Sequence, residues 1–183
     1  MEHLILVEPK PAFSEQIAAY RQEFLDEGGS MDGTGSLRSM ADPAEWLAQV
    51  EALKREETTP VNWVPSTQLL GIRMSDGRIV GMIQIRHRFN EFLEKFGGNI
   101  GYSVRPSERR RGYASEMLRQ CLPRCRALGL TRVLITCLRE NEGSRRTILS
   151  NGGVYESTVF EPREEEHLER YWIDLSEKKT AML

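Results

Sequence analysis

Apolar residues recur along this chain in two rhythms, one near helical spacing and one alternating, and the changes between them mark its elements. Leu4 to Val7 is a short apolar run that predicts a first strand. Residues 11–26 then place Phe13, Ile17, Tyr20, Phe24 and Leu25 close to helical spacing, and Gly28-Gly29 ends the pattern. The stretch that follows, GGSMDGTGSLRSM, has no period and is rich in Gly and Ser. It predicts a loop, either the border of a ligand site or an ordinary connector. Asp42 and Pro43 suit the cap and first position of a second helix through Trp46, Leu47, Val50 and Leu53.

Alternation then takes over. Residues 68–73 and 78–87 predict two strands, joined at Ser75-Asp76-Gly77 by a hairpin turn. Residues 90–98 predict a short helical or looped insert, and Ile100, Tyr102 and Val104 alternate in a further strand that stops before Pro106. Helical spacing returns over 113–128 with Ala114, Met117, Leu118, Cys121, Leu122 and Cys125 on one face. Pro123 lies inside that helix and predicts a kink, and Gly129 is a suitable stop. A strand over Arg132–Leu138 leads to Asn141, a candidate cap for a helix reaching about Ser150. Two strands over 153–160 and 167–175, with an acidic turn at 161–166, complete the pattern. Helices and strands alternate only in the middle and hairpins flank them, which predicts a mixed α/β fold.

Composition narrows the function. At 183 residues the chain is expected to form one domain with a substantial core. Its formal net charge of −2 argues against nonspecific nucleic-acid binding, which needs a broad basic surface. No apolar run is long enough to span a membrane, and the opening MEHLILVEPK makes a poor signal peptide. Three cysteines, Cys121, Cys125 and Cys137, suggest reduced thiols in a cytoplasmic protein. Cys121 and Cys125 are one helical turn apart, but no histidine has a matching spacing, so they read as core residues and no metal is expected.

The basic residues are instead concentrated where a strand ends and a helix begins. Arg109-Arg110-Arg111-Gly112 stands directly before the amphipathic run that opens at Tyr113. A helix start presents unpaired N–H groups and partial positive charge, and glycine lets a bulky anion approach the backbone. The amides near Arg111, Gly112, Tyr113 and Ala114 therefore read as a diphosphate cradle. The arginines otherwise read as solvated surface charge. Neither a Gly-Lys-Ser/Thr step nor a Gly-x-Gly-x-x-Gly motif occurs, which disfavours P-loop and dinucleotide readings.

This segment resembles the acyl-CoA signature of the GNAT superfamily of N-acetyltransferases, (Arg/Gln)-x-x-Gly-x-(Gly/Ala), here Arg109-Arg110-Arg111-Gly112-Tyr113-Ala114. The step Tyr102-Ser103-Val104-Arg105-Pro106 resembles the family strand before the signature. The run Val133 to Cys137, followed by Asn141, resembles the next strand and its asparagine. The resemblance spans roughly 67–160 as an acyl-CoA-binding core, with 9–60 as a helical acceptor-side region. It implies a central mixed, mostly antiparallel sheet flanked by helices, and acetyl-CoA as co-substrate for a primary-amine acceptor. Ser103 and Val104 would lie along the pantetheine arm, with the Val104 N–H polarising the thioester carbonyl. Asn141 and Ser144 match positions that contact that arm, and both also read as helix-capping residues. At most two of the three arginines would face the diphosphate, leaving the third for the 3′-phosphate. Many family members pair, so a homodimer is a further expectation.

The acceptor amine must lose a proton before it attacks. His87 is a candidate base, directly or through water, with Glu91 and Glu94 as alternatives; a histidine at a strand end is also often a packing residue. The family often places a tyrosine acid seven residues after the asparagine, where this chain has Ile148. Tyr102, Tyr113 and Tyr155 are the tyrosines nearest the expected cleft in sequence. The rival reading is a non-catalytic acyl-CoA or anion-sensing module, separated from an enzyme by whether free CoA is released when an amine is present.

Overall fold

The structure, a computed structural model, describes residues 3–176, so the outermost residues of the expected 1–183 domain lie outside the described part. In chain order the elements are β1 (Leu4–Val7), α1 (Ser14–Glu27), α2 (Pro43–Ala52), β2 (Ser66–Arg73), β3 (Ile79–Arg86) and β4 (Ile100–Val104). They continue as α3 (Tyr113–Ala127), β5 (Arg132–Leu138), α4 (Glu142–Ser150), β6 (Val154–Glu161) and β7 (Glu166–Asp174). The insert before β4 is a π-helical turn at Leu93–Gly97. Asp42 caps α2 as expected, its carboxylate accepting the Ala44 N–H at 2.8 Å. The long helix α3 continues through Pro123 as one element.

The strands form two antiparallel sheets, β1-β2-β3-β4 and β5-β7-β6. Their order follows from the hairpins: β2 pairs with β3 from Ser66↔Arg86 to Gly71↔Gly81, and β6 pairs with β7. The first sheet is covered on both faces, so successive residues of one strand enter different cores. Leu69, Ile83 and Ile85 pack with Met117, Leu118 and Cys121 of α3, joined by Val133 and Ile135 of β5. Leu70, Ile72 and Met82 pack on the other face with Ile17, Tyr20 and Phe24 of α1 and Trp46 and Val50 of α2. Each such large side chain taken wholly out of water contributes about 1.5–3 kcal/mol before conformational entropy is subtracted. Cys121 and Cys125 are core residues with their sulfurs 4.0 Å apart and no disulfide between them.

One residue joins the two sheets at their meeting edge. Asn99 is 2% exposed, and its carboxamide accepts the Leu134 N–H at 2.9 Å and donates to the Arg86 carbonyl at 3.2 Å. The Asn99 N–H also donates to the Leu134 carbonyl at 2.7 Å. Beyond this clamp no ladder joins β4 to β5. A cleft opens between them.

Candidate active site

The hydrogen-bond parity of β4 decides what faces the cleft. Arg105 N–H donates to Val80 O at 2.9 Å, and Arg86 N–H donates to Asn99 O at 2.7 Å. In an antiparallel pair such contacts recur at every second residue, so Gly101 and Ser103 also turn their backbone groups toward β3. Ile100, Tyr102 and Val104 therefore turn theirs to the open edge. Their strand partners are missing on that side because β5 diverges. The result is a cavity of about 1030 Å³, bounded by Gly101 to Val104 on one wall and by Thr136, Cys137 and Leu138 of β5 on the other. The Val104 N–H is thus one of the backbone groups on that open edge.

At one end of the cavity lies the start of α3. The chain turns sharply there, with Arg110 at φ 62° and Gly112 at φ 82°, both left-handed. Gly112 caps α3 without a side-chain bond to the helix amides, which leaves its first N–H groups open. Gly112, Tyr113 and Ala114 line the cavity, as do Arg109 and Arg110. The three arginines have separate placements. Arg109 lies over the Phe24 ring at 5.6 Å and its Nε donates to Val104 O at 3.4 Å. Arg111 is not among the lining residues and pairs with Glu108 at 3.5 Å. Buried Glu108 also takes Arg73 at 2.8 Å, and Glu23 of α1 holds Arg105 at 3.1 Å and the Ser107 N–H at 2.7 Å. The loop is thereby fastened to the first sheet and to α1.

Midway along the cleft, α4 presents Asn141 and Ser144. Asn141 is the helix cap, accepting the Ser144 N–H at 3.0 Å, and both residues line the cavity. The Tyr102 hydroxyl sits 2.8 Å from the Ser144 hydroxyl. Burial pushes the Tyr102 phenol well above its usual pKa, and pushes the adjoining Cys137 thiol up to about 11. Both groups stay protonated at neutral pH. Ile148 is fully buried in the core under α4 and offers no hydroxyl. Tyr155 lies on exposed β6 outside the cavity lining, and the Tyr113 hydroxyl accepts from Arg73 at 3.3 Å.

The other end of the cavity is acidic. Asp32, from the Gly/Ser loop, and Glu161, Glu164 and Glu166, from the β6–β7 turn, line it together with Phe92 and Phe96. The expected base, His87, is not brought there. Arg86 ends β3 and lines the cavity, whereas His87 lies just beyond the strand and is not among the lining residues. His87 Nε2 instead lies 2.8 Å from Thr67 Oγ1, and burial lowers its pKa. Glu91 pairs with Lys95 at 2.9 Å on the surface, and neither it nor Glu94 lines the cavity. Asp32 and Glu161 are the acids that sequence reasoning missed. The loop composition marked the place of Asp32 but not its side chain, and Glu161 was hidden in a run of surface-type carboxylates. Among the described residues no group of three or more potential metal ligands comes together, and no helix is long and apolar enough to cross a membrane.

The model of the acetyltransferase (GNAT) domain family matches residues 3–154. The fold is similar to the ribosomal-protein-S5-alanine acetyltransferase of Vibrio fischeri, with 14% identity over 97% of this chain and 96% of that one, TM-score 0.72. It is also similar to the microcin C7 self-immunity acetyltransferase MccE, solved with acetyl-CoA and AMP, with 15% identity over 95% and 93% of the chains, TM-score 0.71. Mycobacterium smegmatis RimJ, solved with CoA-disulfide, is 17% identical over 93% of this chain and 81% of its own, TM-score 0.68. No curated protein matches the sequence.

Proposed function

The chain belongs to the GNAT acetyltransferase family, and we propose that it transfers the acetyl group of acetyl-CoA to a primary amine by direct attack on the thioester. The observation that carries this reading is the single cavity that joins an uncapped helix start, an open strand edge and an acidic end. A diphosphate suits the first, held by the amides of Gly112, Tyr113 and Ala114 with Arg110 beside them. An extended amide-bearing arm suits the second, running past Ser103 and Val104 and opposite Asn141 and Ser144. There the Val104 N–H stabilises charge developing on the thioester oxygen.

A cationic amine suits the acidic end. Such an amine has a reference pKa near ~10.4, so less than about one part in a thousand is nucleophilic at neutral pH. Carboxylates at that end raise the local concentration of the ammonium. The departing thiolate meets the Ser144 and Tyr102 hydroxyls, which share one hydrogen bond, so that one of the two protons is left to donate to it. No step is assigned to His87.

Thiol release from acetyl-CoA across a library of primary amines tests the reading. Amine-dependent release of one CoA per acetylated product is expected. Tight CoA binding with no release for any amine would instead make the protein an acyl-CoA-binding module.

A further inference from the structure

We propose that Asp32 is the acceptor-binding residue of the cleft, its carboxylate holding the acceptor's ammonium against the open edge of β4. The proposal rests on the acetyl-transfer reading above and adds a residue and a charge requirement to it. Three observations carry it.

The first is the mount. Gly33 has φ 72°, and a Cβ on it would lie 2.1 Å from the Gly101 carbonyl oxygen, so the loop backbone touches β4 one residue before Tyr102. Only glycine permits both that approach and that dihedral. The contact is fastened on each side. Gln68 Nε2 donates to Gly33 O at 2.8 Å, Thr34 Oγ1 donates to Met31 O at 2.7 Å, and Trp46 Nε1 donates to Thr34 O at 2.8 Å. Met31 and Leu37 are buried in the core shared with α1 and α2. Asp32 is therefore an exposed residue on a fixed backbone, between a buried methionine and a glycine pressed on the strand.

The second is that the carboxylate is unpaired. Among the described residues Asp32 forms no hydrogen bond or ion pair. It lies within electrostatic range of Arg86 and Tyr102, both of which line the same cavity. Arg86 forms no ion pair with it; the guanidinium donates through Nη1 to the carbonyls of Gly97 at 2.9 Å and Gly98 at 3.4 Å and faces the carboxylate only at longer range. The third is the field around it. Glu161, Glu164 and Glu166 face the same volume from the opposite wall. A fixed anion in an acidic mouth, next to the strand that presents the Val104 N–H, fits an alkylammonium group and gives no advantage to an uncharged arylamine.

The test compares wild type with Asp32→Asn, which keeps size and exposure and removes the charge. The probe is 1,5-diaminopentane, followed by saturation-transfer NMR on CoA-loaded protein and by thiol release with acetyl-CoA. The substitution is expected to weaken diamine binding and raise its KM by roughly two- to fivefold, the scale of one exposed charge pair. CoA affinity by calorimetry is expected to stay the same. Equal diamine binding in the two proteins, or none to the wild type, overturns the assignment of Asp32. Failure of the wild type to bind CoA overturns the acetyl-transfer reading instead.

Discussion

Gly112 and Arg110 show how much of the candidate site depends on two backbone angles. Both residues are left-handed, and between them they reverse the chain so that the first amides of α3 face the cavity. For an L-residue this region costs about 1–2 kcal/mol, most for a β-branched one. Gly112→Val therefore either strains the turn or swings the amides away, and adds bulk on the anion side. CoA affinity measured by calorimetry is expected to fall at least roughly tenfold, about 1.4 kcal/mol. The circular dichroism spectrum should stay unchanged, because Gly112 itself is exposed and outside the core. Full affinity in that folded variant would remove the diphosphate from Gly112. The motif was legible here because glycine and a basic run stand together in sequence. The separate placements of Arg109 and Arg111 were not, since their partners Phe24 and Glu108 belong to other elements.

At the scale of elements, periodicity located the strands and helices almost to their ends. The expected strand over Arg132–Leu138 has those bounds in the structure, and the expected strand over residues 78–87 is Ile79–Arg86. Local patterning decides such segments, because burial on one or both faces fixes where apolar residues fall. The division between β4 and β5 has no such signal. It depends on Asn99, a residue whose polarity reads as a turn in sequence and whose carboxamide serves as a clamp across 35 positions of chain. Removing the clamp leaves the buried Leu134 N–H without its side-chain acceptor, at a cost of about 1–3 kcal/mol. Asn99→Ala should accordingly lower Tm by roughly 2–12 °C, at about 2–4 °C per kcal/mol for a chain of this size. It should also raise the KM for acetyl-CoA, because the two walls would lose their fixed separation at the base. A variant with unchanged Tm and KM would show that the strands are held apart by packing alone. The same distinction explains His87 and Asp32. Type and rough position suggested the histidine, but its ring is engaged by Thr67 outside the cavity lining, and only tertiary contact at Gly33 brings the aspartate in.

Across the whole molecule a net charge of −2 conceals a polarity along the cleft. Arg109, Arg110 and Arg111 gather at the α3 end beside Arg78 and Arg105, against the two carboxylates Glu23 and Glu108. The far end presents Asp32, Glu161, Glu164 and Glu166, with Arg86 engaged by backbone carbonyls. A polyanionic donor and a cationic acceptor would thus be drawn to opposite ends of one cavity, each partly by charge. Salt screens such attraction: the Debye length shrinks from about 10 Å at ~0.1 M to about 3 Å at ~1 M. Both KM values are therefore expected to rise over that range while kcat changes little, because screening acts on encounter and binding rather than on the enclosed reaction. The two ends should also respond separately. Arg110→Ala is expected to flatten the salt dependence of the acetyl-CoA KM and leave that of the amine, and Asp32→Asn to do the reverse. Steady-state kinetics at four or so ionic strengths, with each co-substrate varied in turn, reads all of this. If either substitution flattened both dependences equally, or neither, the charges would act as one diffuse field, and the polarity would have no part in sorting donor from acceptor.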